Sequence, residues 1–551
     1  MDSLPPLLLE VPKDPTHGDL ASTVALGLAR PERKAPAAIA KAIVDHIEDP
    51  DGMLAAVEIA GPGFINFRFS PRFWAQCLAE VERDDFAKPN VGQGTKILIE
   101  FVSANPTGPL HVGHGRGAVL GDGVARLLAH AGYDVTREYY VNDAGKQVDT
   151  LARSAYARLR EVCGDANATI PEDGYPGDYL LDLMREHRDA LVAEIAAARG
   201  VSVGANPLAV LDADTAAGGE PPLGQTIVGR RAAAWLLDTI KDDMRALAVE
   251  VEIFVSERAL HDEGVVGRAL EQLTAAGFIY EKDGARWFAS ERFGDEKDRV
   301  VERSNGELTY FAADIGYHQQ KLARGYDQLI DVWGADHHGY IPRVAAAIEA
   351  LGMAREKFQV IIVQLVRLTR GGEPVRMGKR TGEFVTLREV VDEVGADATR
   401  FFFLMRKGDS QMEFDLALAA KQSSENPVFY VQYAHARICT LFDKAAAAGV
   451  TVPAAGAASL ELLTEAEEQE LVKMLAQFPD VVEDAARERE PHRIVFQLIE
   501  LAGAFHRCYN RHRILDVEPA LREARLVLAG AVRRVLRIGL ELLGIRAPEA
   551  M

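Results

Sequence analysis

The stretch 96-KILIEFVSANPTGPLHVGHGRGAVLGDGVARLLAHAGYDV-135 decides the fold. It opens with a short, nearly continuous apolar run, Lys96 to Val102, as expected of a buried parallel strand. A polar turn, "SANPTGP", leads into "LHVGHGRG" (Leu110–Gly117), after which apolar residues recur at helical spacing. Strand, glycine-rich turn and helix in that order make the first unit of a nucleotide-binding α/β fold. A second strand, "VTREYYVND", ends in a polar cluster at the carboxyl edge.

Outward from this unit the pattern changes twice. Residues 1–88 read as a small α+β unit. Its "HGDLASTVALGLAR" has helical spacing opening at Asp19 or Ser22, "AAVEIAGPGFINFRF" reads as strand, turn, strand, and "PRFWAQCLAEVER" as a helix with Pro at its start. Residues from about 148 to 300 read as a mostly helical insertion, with a flexible loop at 204–224, "GANPLAVLDADTAAGGEPPLG". The α/β pattern resumes in "QLIDVWGADHHGY" and "FQVIIVQLVRLTR". The expected layout is therefore a nucleotide-binding domain over 95–412, split by that insertion, and an all-α domain over 413–551.

The 551-residue length suits roughly three domains. A hydrophobic fraction of 48% and a charged fraction of 26% fit a globular protein with a large core. Cys77, Cys163, Cys439 and Cys508 lie far apart and form no C-x-x-C pair, which argues against a disulfide framework or zinc knuckle and fits a reducing cytoplasm. The amino end lacks the basic region of a signal peptide, and no apolar run reaches the ~18 residues of a membrane span. Net charge is -20, yet binding is local. From Arg493 to Met551 there are ten Arg, no Lys and six acidic residues. That surplus reads either as a nucleic-acid surface or as a solvated helix face.

"HVGHGRG" allows three chemistries. Glycines bring backbone close to a ligand, and a helix N-terminus carries unpaired N–H groups and partial positive charge, so a phosphate fits. Two imidazoles there donate to phosphoryl oxygens as charge builds. Zinc, on His111 and His114 with His337 and His338, is the second reading, and a plain turn the third. Neither the dinucleotide fingerprint nor the P-loop pattern is present. A second basic, glycine-containing stretch, "RMGKRTGEFVTL" (Arg376–Leu387), stands between an apolar strand and a helix far downstream. The pair favours phosphate.

The two stretches resemble the HIGH and KMSKS motifs of class I aminoacyl-tRNA synthetases. With "EFVSANPTGPLHVGHGRGAVLGD", "YYVNDAGKQV", "YFAADIGYH", "VWGADHHGYIPR" and "NPVFYVQYAHARI" in order, the chain is similar to the arginyl-tRNA synthetase family over nearly its whole length. "THGDLAS" and "GPGFINFRF" carry the likeness at the amino end. The second motif departs from the family pattern at Arg376, Gly378 and Arg380 but keeps Lys379. Gly115 stands where a bulkier apolar residue is common.

The resemblance implies a Rossmann-like class I catalytic domain with a helical insertion, a small α+β N-terminal domain and an all-α anticodon-binding bundle. It implies activation of L-arginine with ATP and Mg2+ to arginyl-adenylate, then transfer to the terminal adenosine of tRNA(Arg), by a cytoplasmic monomer. His111 and His114 would contact the ATP phosphates, and Arg376 and Lys379 the departing pyrophosphate. Gly113, Gly334, Asp336, His337 and Met377 would line the ATP site, with Gln364 near the adenine. Glu100, Tyr310 and Asp314 would take the guanidinium, since carboxylates match its charge and donors. Asn105 would hold the α-amino group. Asn66 in the N-terminal domain, and Phe505, Arg507, Tyr509, Arg511 and Arg513 in the bundle, would face tRNA, with aromatics stacking on bases and Arg on phosphate.

Plainer readings stand beside these. Asp314 has a plainer reading as a surface acid or helix cap, Glu100 as a partner for a helix terminus, Tyr310 equally as a packing residue, and Phe505 with Tyr509, four apart, as core. Two other functions compete: an adenylate-forming ligase that uses no RNA, and an RNA-binding relative without catalysis. The long helical end argues against the first. The paired histidines, Lys379 and the acidic residues argue against the second.

Overall fold

The computed structural model describes residues 7–375 and 385–551. The N-terminal unit is a four-stranded antiparallel sheet, order β1-β2-β4-β3, built from β1 (Leu9–Glu10), β2 (Leu20–Ser22), β3 (Leu54–Ala60) and β4 (Phe64–Phe69). Helices α1 (Val24–Glu32) and α2 (Pro36–Val44) cover one face, and α3 (Pro71–Glu80) leads out. The helix expected from Asp19 or Ser22 starts at Val24. Ala21 pairs with Asn66 in the sheet, and the Asp19 carboxylate accepts the Phe69 N–H at 2.8 Å, so these residues serve β4 and not a helix start.

The central domain is built on a five-stranded parallel sheet, order β12-β11-β5-β6-β7. It begins with β5 (Lys96–Glu100), α4 (Val112–His130) and β6 (Asp134–Val141), the unit quoted above. Ile97, Leu98 and Ile99 are all buried, as the apolar run requires. The strand stops at Glu100, not Val102, because Val102 and Ser103 take left-handed backbone, φ 69° and 42°. That reversal is strained for a β-branched residue and sits at the edge of the site. Helix α4 packs close on β5: a Cβ on Gly121 would lie 2.3 Å from Phe101 Cγ.

Four helices follow, α5 (Lys146–Val162), α6 (Asp178–Arg199), α7 (Leu208–Ala216) and α8 (Leu223–Ala246), with their own apolar core. The loop expected at 204–224 thus contains a helix. Asp214 holds it down: its carboxylate, fully buried, accepts from Arg199 Nε at 2.6 Å, Tyr156 Oη at 2.9 Å and Gly224 N. The expected helical block to about 300 is also divided. After α8 the chain returns to the central sheet as β7 (Ile253–Ser256), beside β6. Helices α9 (Glu257–Asp262) and α10 (Val265–Ala275) and an antiparallel sheet of β8 (Ile279–Lys282), β9 (Ala285–Phe288) and β10 (Arg299–Glu302) come next.

The core resumes with α11 (Tyr310–Ala323), β11 (Gln328–Gly334), α12 (Ile341–Ala350) and β12 (Phe358–Val363). "VIIVQLVRL" is not one strand. It breaks at Gln364, whose N–H donates to Gly408 O, and continues as β13 (Val366–Arg370) in a separate sheet with β14 (Glu373–Pro374) and β15 (Met412–Asp415). Helices α13 (Leu387–Val394), α14 (Ala396–Leu404) and α15 (Leu416–Ala419) lead to the terminal bundle of α16 (Pro427–Ala447), α17 (Ala466–Glu488), α18 (His492–Arg511) and α19 (Pro519–Leu542).

One side chain ties three regions together. Arg400 of α14 is fully buried, donates to Leu543 O after α19 and Leu247 O after α8, each at 2.9 Å, and pairs with Asp122 of α4. Removing one partner of a buried pair leaves an uncompensated charge. Arg400→Ala is expected to cost about 3–5 kcal/mol in urea unfolding; a loss in the range of a surface pair, under about 1 kcal/mol, would show the network to be dispensable.

Candidate active site

Parallel strands deliver their carboxyl ends to one edge, where open α/β sheets bind ligands. Glu100, the Asn142–Asp143 turn, Glu257, Gly334 and Gln364 stand at the ends of β5, β6, β7, β11 and β12 on that edge.

The histidine turn starts α4. His111 is the N-cap: its Nδ1 accepts from Gly113 N at 3.1 Å and His114 N at 3.3 Å, and His114 Nδ1 accepts from His111 N at 3.4 Å. The two rings stack, centroids 3.6 Å apart. The N–H groups expected to await a phosphate are therefore capped by the imidazoles themselves. With each Nδ1 an acceptor, the neutral rings carry their proton on Nε2, the tautomer that donates to an acceptor oxygen. Arg116, a turn further on, is buried and donates to the carbonyls of Gln364, Ser410 and Lys407 at 2.8–2.9 Å. Burial pushes its guanidinium down to about 10. The residue fixes α4 against the end of β12, a role invisible in sequence because its partners are backbone carbonyls far along the chain.

The acidic side of the site differs from expectation. Glu100 is buried, but Ser103 Oγ donates to it at 2.7 Å and Lys321 Nζ pairs with it. Lys321, itself fully buried, also pairs with Asp331 at 2.8 Å, so Glu100 has a resident cation. Asp314 lies one helical turn from Tyr310 on α11, as the spacing required. Burial, with Glu257 and Glu100 nearby, raises its carboxyl to about 6. Glu257, the first residue of α9, is buried too, and burial raises its carboxyl. The Asn142 amide, turned so that both its ends are satisfied, donates to Glu257 Oε2 at 3.0 Å. Among the described residues no Lys or Arg forms an ion pair with Asp314 or Glu257. Two carboxylates held together in low dielectric favour an incoming cation.

Glu257 was missed by the sequence reading. Only the return of β7 to the central sheet brings it to this edge, and a four-residue strand inside a helical stretch gives little periodic signal. Tyr310, 64% exposed, stands at the mouth. Asn105 donates through Nδ2 to Gln147 Oε1. Gly334 ends β11, and Asp336 and His337 are exposed on the 3-10 turn after it, with His337 Nε2 3.6 Å from Asp336 Oδ2. Arg376, Met377 and Lys379 lie outside the described residues.

The RNA-facing expectations need two corrections. Phe505 is 2% exposed and belongs to the bundle core, and Asn66, at 7%, is buried in the central strand pair of the N-terminal sheet. Arg507 pairs with Glu470 at 2.7 Å, Arg511 with Glu467 at 2.6 Å, and Arg513, largely exposed, lies 3.5 Å from Asp516. Tyr509 lies under the Arg437 guanidinium, 4.0 Å from ring centroid, and Arg437 also reaches Tyr433, which is exposed. This aromatic and arginine face of α16 and α18 was legible only as "NPVFYVQYAHARI", with Tyr433 and Arg437 four apart.

Three family models match the chain: the arginyl tRNA synthetase N-terminal domain over 2–69, the class I (R) tRNA synthetase catalytic domain over 78–167 and 224–419, and the DALR anticodon binding domain over 431–551. The arginine–tRNA ligase of Syntrophotalea carbinolica is 48% identical, covering 100% of this chain and 96% of that protein. The chain belongs to the arginyl-tRNA synthetase family. The arginine–tRNA ligase of Desulfosudis oleivorans is 49% identical over 99% of this chain and 95% of its own. Among solved structures, a putative arginyl-tRNA synthetase from Campylobacter jejuni aligns with a TM-score of 0.76 at 36% identity, covering 88% of this chain and all of that one. The Thermus thermophilus arginyl-tRNA synthetase shares the fold, TM-score 0.75 at 24% identity, over 99% and 96% of the two chains. The gap between the two catalytic matches, 168–223, falls on α6 and α7.

Proposed function

We infer that the pocket formed by Asp314 and Glu257 receives the guanidinium of L-arginine, in a chain that acts as an ATP-dependent arginine–tRNA ligase. The observation that carries this is a pair of carboxylates at the sheet edge, Glu257 buried and Asp314 half-buried, with which no Lys or Arg forms an ion pair among the described residues. Tyr310 flanks the entry. Glu100, already balanced by Lys321, acts on the shape and charge of the floor. Asn105 holds the α-amino group, leaving the carboxylate to face the histidine turn.

His111 and His114 then donate from Nε2 to the α-phosphoryl oxygens as arginine's carboxylate attacks, stabilising charge that is largest in the transition state. Arg376 and Lys379 are proposed partners of the departing pyrophosphate, and Gly113, Gly334, Asp336, His337 and Met377 of the nucleotide. Magnesium arrives with ATP on phosphate oxygens and water, a mode that needs few protein ligands. The α16–α18 face, with Tyr433, Arg437, Tyr509 and Arg513, meets unpaired bases and phosphates of tRNA(Arg). The synthetase works as a cytoplasmic monomer. No helix among the described residues is long and apolar enough to cross a membrane.

ATP–pyrophosphate exchange, measured across the amino acids with tRNA(Arg) present, is expected with arginine; exchange with another amino acid in its place overturns the reading. The pH profile tests the pocket. Protonating Asp314 removes the charge that attracts arginine, and its carboxyl is raised to about 6. kcat/KM for arginine, which reports the free enzyme, should therefore fall below pH about 6 and level off above it. The same shift means that this group's contribution to stability is present at low pH and is lost as pH rises from 3.8 through about 6. A flat kcat/KM across pH 5–8 would remove Asp314 from the pocket.

A further inference from the structure

Gly115, the residue after His114, is buried in the first turn of α4. Its backbone is ordinary helix, where glycine costs about 1 kcal/mol relative to alanine, so conformation does not require it. Space does. A Cβ built there would lie 2.4 Å from Leu387 Cδ1, 3.2 Å from Cδ2 and 3.3 Å from Cγ. Leu387 opens α13 and is fully buried in the same core cluster as Leu110 and Val112.

Three more contacts meet at this point. Thr386 forms a β-bridge with His111, and Leu387 N donates to Leu110 O at 2.7 Å. The neighbouring Arg388 pairs at 3.1 Å with Asp243, buried near the end of α8. Thr386 is itself held as the N-cap of α13 in a reciprocal box with Glu389. The entry of α13 is thus rigid on its own side and seated on the histidine turn on the other. A side chain at position 115 would lift Leu387, and through the Thr386 bridge would shift His111, whose ring caps α4 and stacks on His114.

We propose that Gly115 is a positioning residue: its missing side chain is the seat of Leu387, and this seat sets the placement of the His111–His114 pair against the entry of α13. The proposal rests on the reading of the histidines as phosphate contacts. It also accounts for a glycine where a bulkier residue is common: the volume at this position is supplied by Leu387 from across the interface.

The test is ATP–pyrophosphate exchange by the full chain with tRNA(Arg), on Gly115→Val, Leu387→Ala, the double variant and His114→Ala, each checked for cooperative unfolding. Gly115→Val is expected to lower kcat by about 100-fold, the scale of a misplacement near 1 Å, with the arginine KM little changed. The double variant should recover at least about tenfold of that loss, since Leu387→Ala reopens the space. Wild-type kcat in Gly115→Val, a loss confined to KM, or a folded double variant no better than the single each overturns the proposal. If Gly115→Val does not fold, Gly115→Ala with and without Leu387→Val reads the same reciprocity. His114→Ala separates the two claims: if its kcat is unchanged, the histidine reading fails, whereas reciprocity in the 115/387 pair is judged on its own rates.

Discussion

Asp314→Asn is expected to raise the KM for arginine by about 10²–10³-fold. The residue is half-buried, its charge is disfavoured by desolvation and by Glu257 and Glu100, and no Lys or Arg ion-pairs with it among the described residues. An arginine guanidinium brings the missing charge and a fork of donors that match a carboxylate. Removing one partner of such a buried pair costs about 3–5 kcal/mol, and each 1.4 kcal/mol is about tenfold in affinity. The amide keeps the shape, so the protein should fold, and the variant should lose the acid limb of kcat/KM. Steady-state exchange kinetics at several arginine concentrations measure this. A KM within about twofold of wild type would transfer the role to Glu257 alone or to another site.

His114→Ala should show the opposite signature. Its Nδ1 accepts the His111 N–H in the helix cap, and in the proposed mechanism its Nε2 donates toward phosphate. Loss of a donor aimed at developing charge costs about 10²–10³ in kcat. In the proposed arrangement His114 donates to phosphate and not to arginine, so the arginine KM should stay nearly constant. A raised KM with unchanged kcat would mean ground-state binding only. The cap role is separable: His114→Asn keeps a short acceptor for the His111 N–H, and recovery of stability without recovery of rate would assign the rate to Nε2.

The elements closest to the chemistry were legible early. The apolar run at 96–100, the histidine turn and the helix after it follow from local rules: alternation, glycine content and helical spacing. Asp314 was legible because a spacing of four on a helix puts two residues on one face. The reading went astray where a side chain's meaning depends on a distant partner. Glu100 looked like a free acid at a strand end until Lys321 came across from α11. Phe505 looked like a stacking aromatic, though its burial makes it core. Asn66 was expected to face tRNA and is covered by its neighbours. Glu257 was silent because β7 is four residues long and follows the four helices α5 to α8.

Taken alone, the order of residues along the chain determined the class of the sheet, the presence of two basic glycine-containing stretches, the Arg-rich helical end and the family. Each depends on patterns within a few turns or on short exact words. Tertiary structure decided the charge state and reach of the site. It decided which carboxylates are balanced by buried lysine and which have no Lys or Arg ion pair among the described residues, that the histidine rings cap their own helix, and that Gly115 packs against Leu387. The caps are local, but the balanced carboxylates and the Gly115 contact depend on burial and on residues hundreds of positions apart, and both the cost of a buried charge and the room for a side chain exist only once the distant partner is in place.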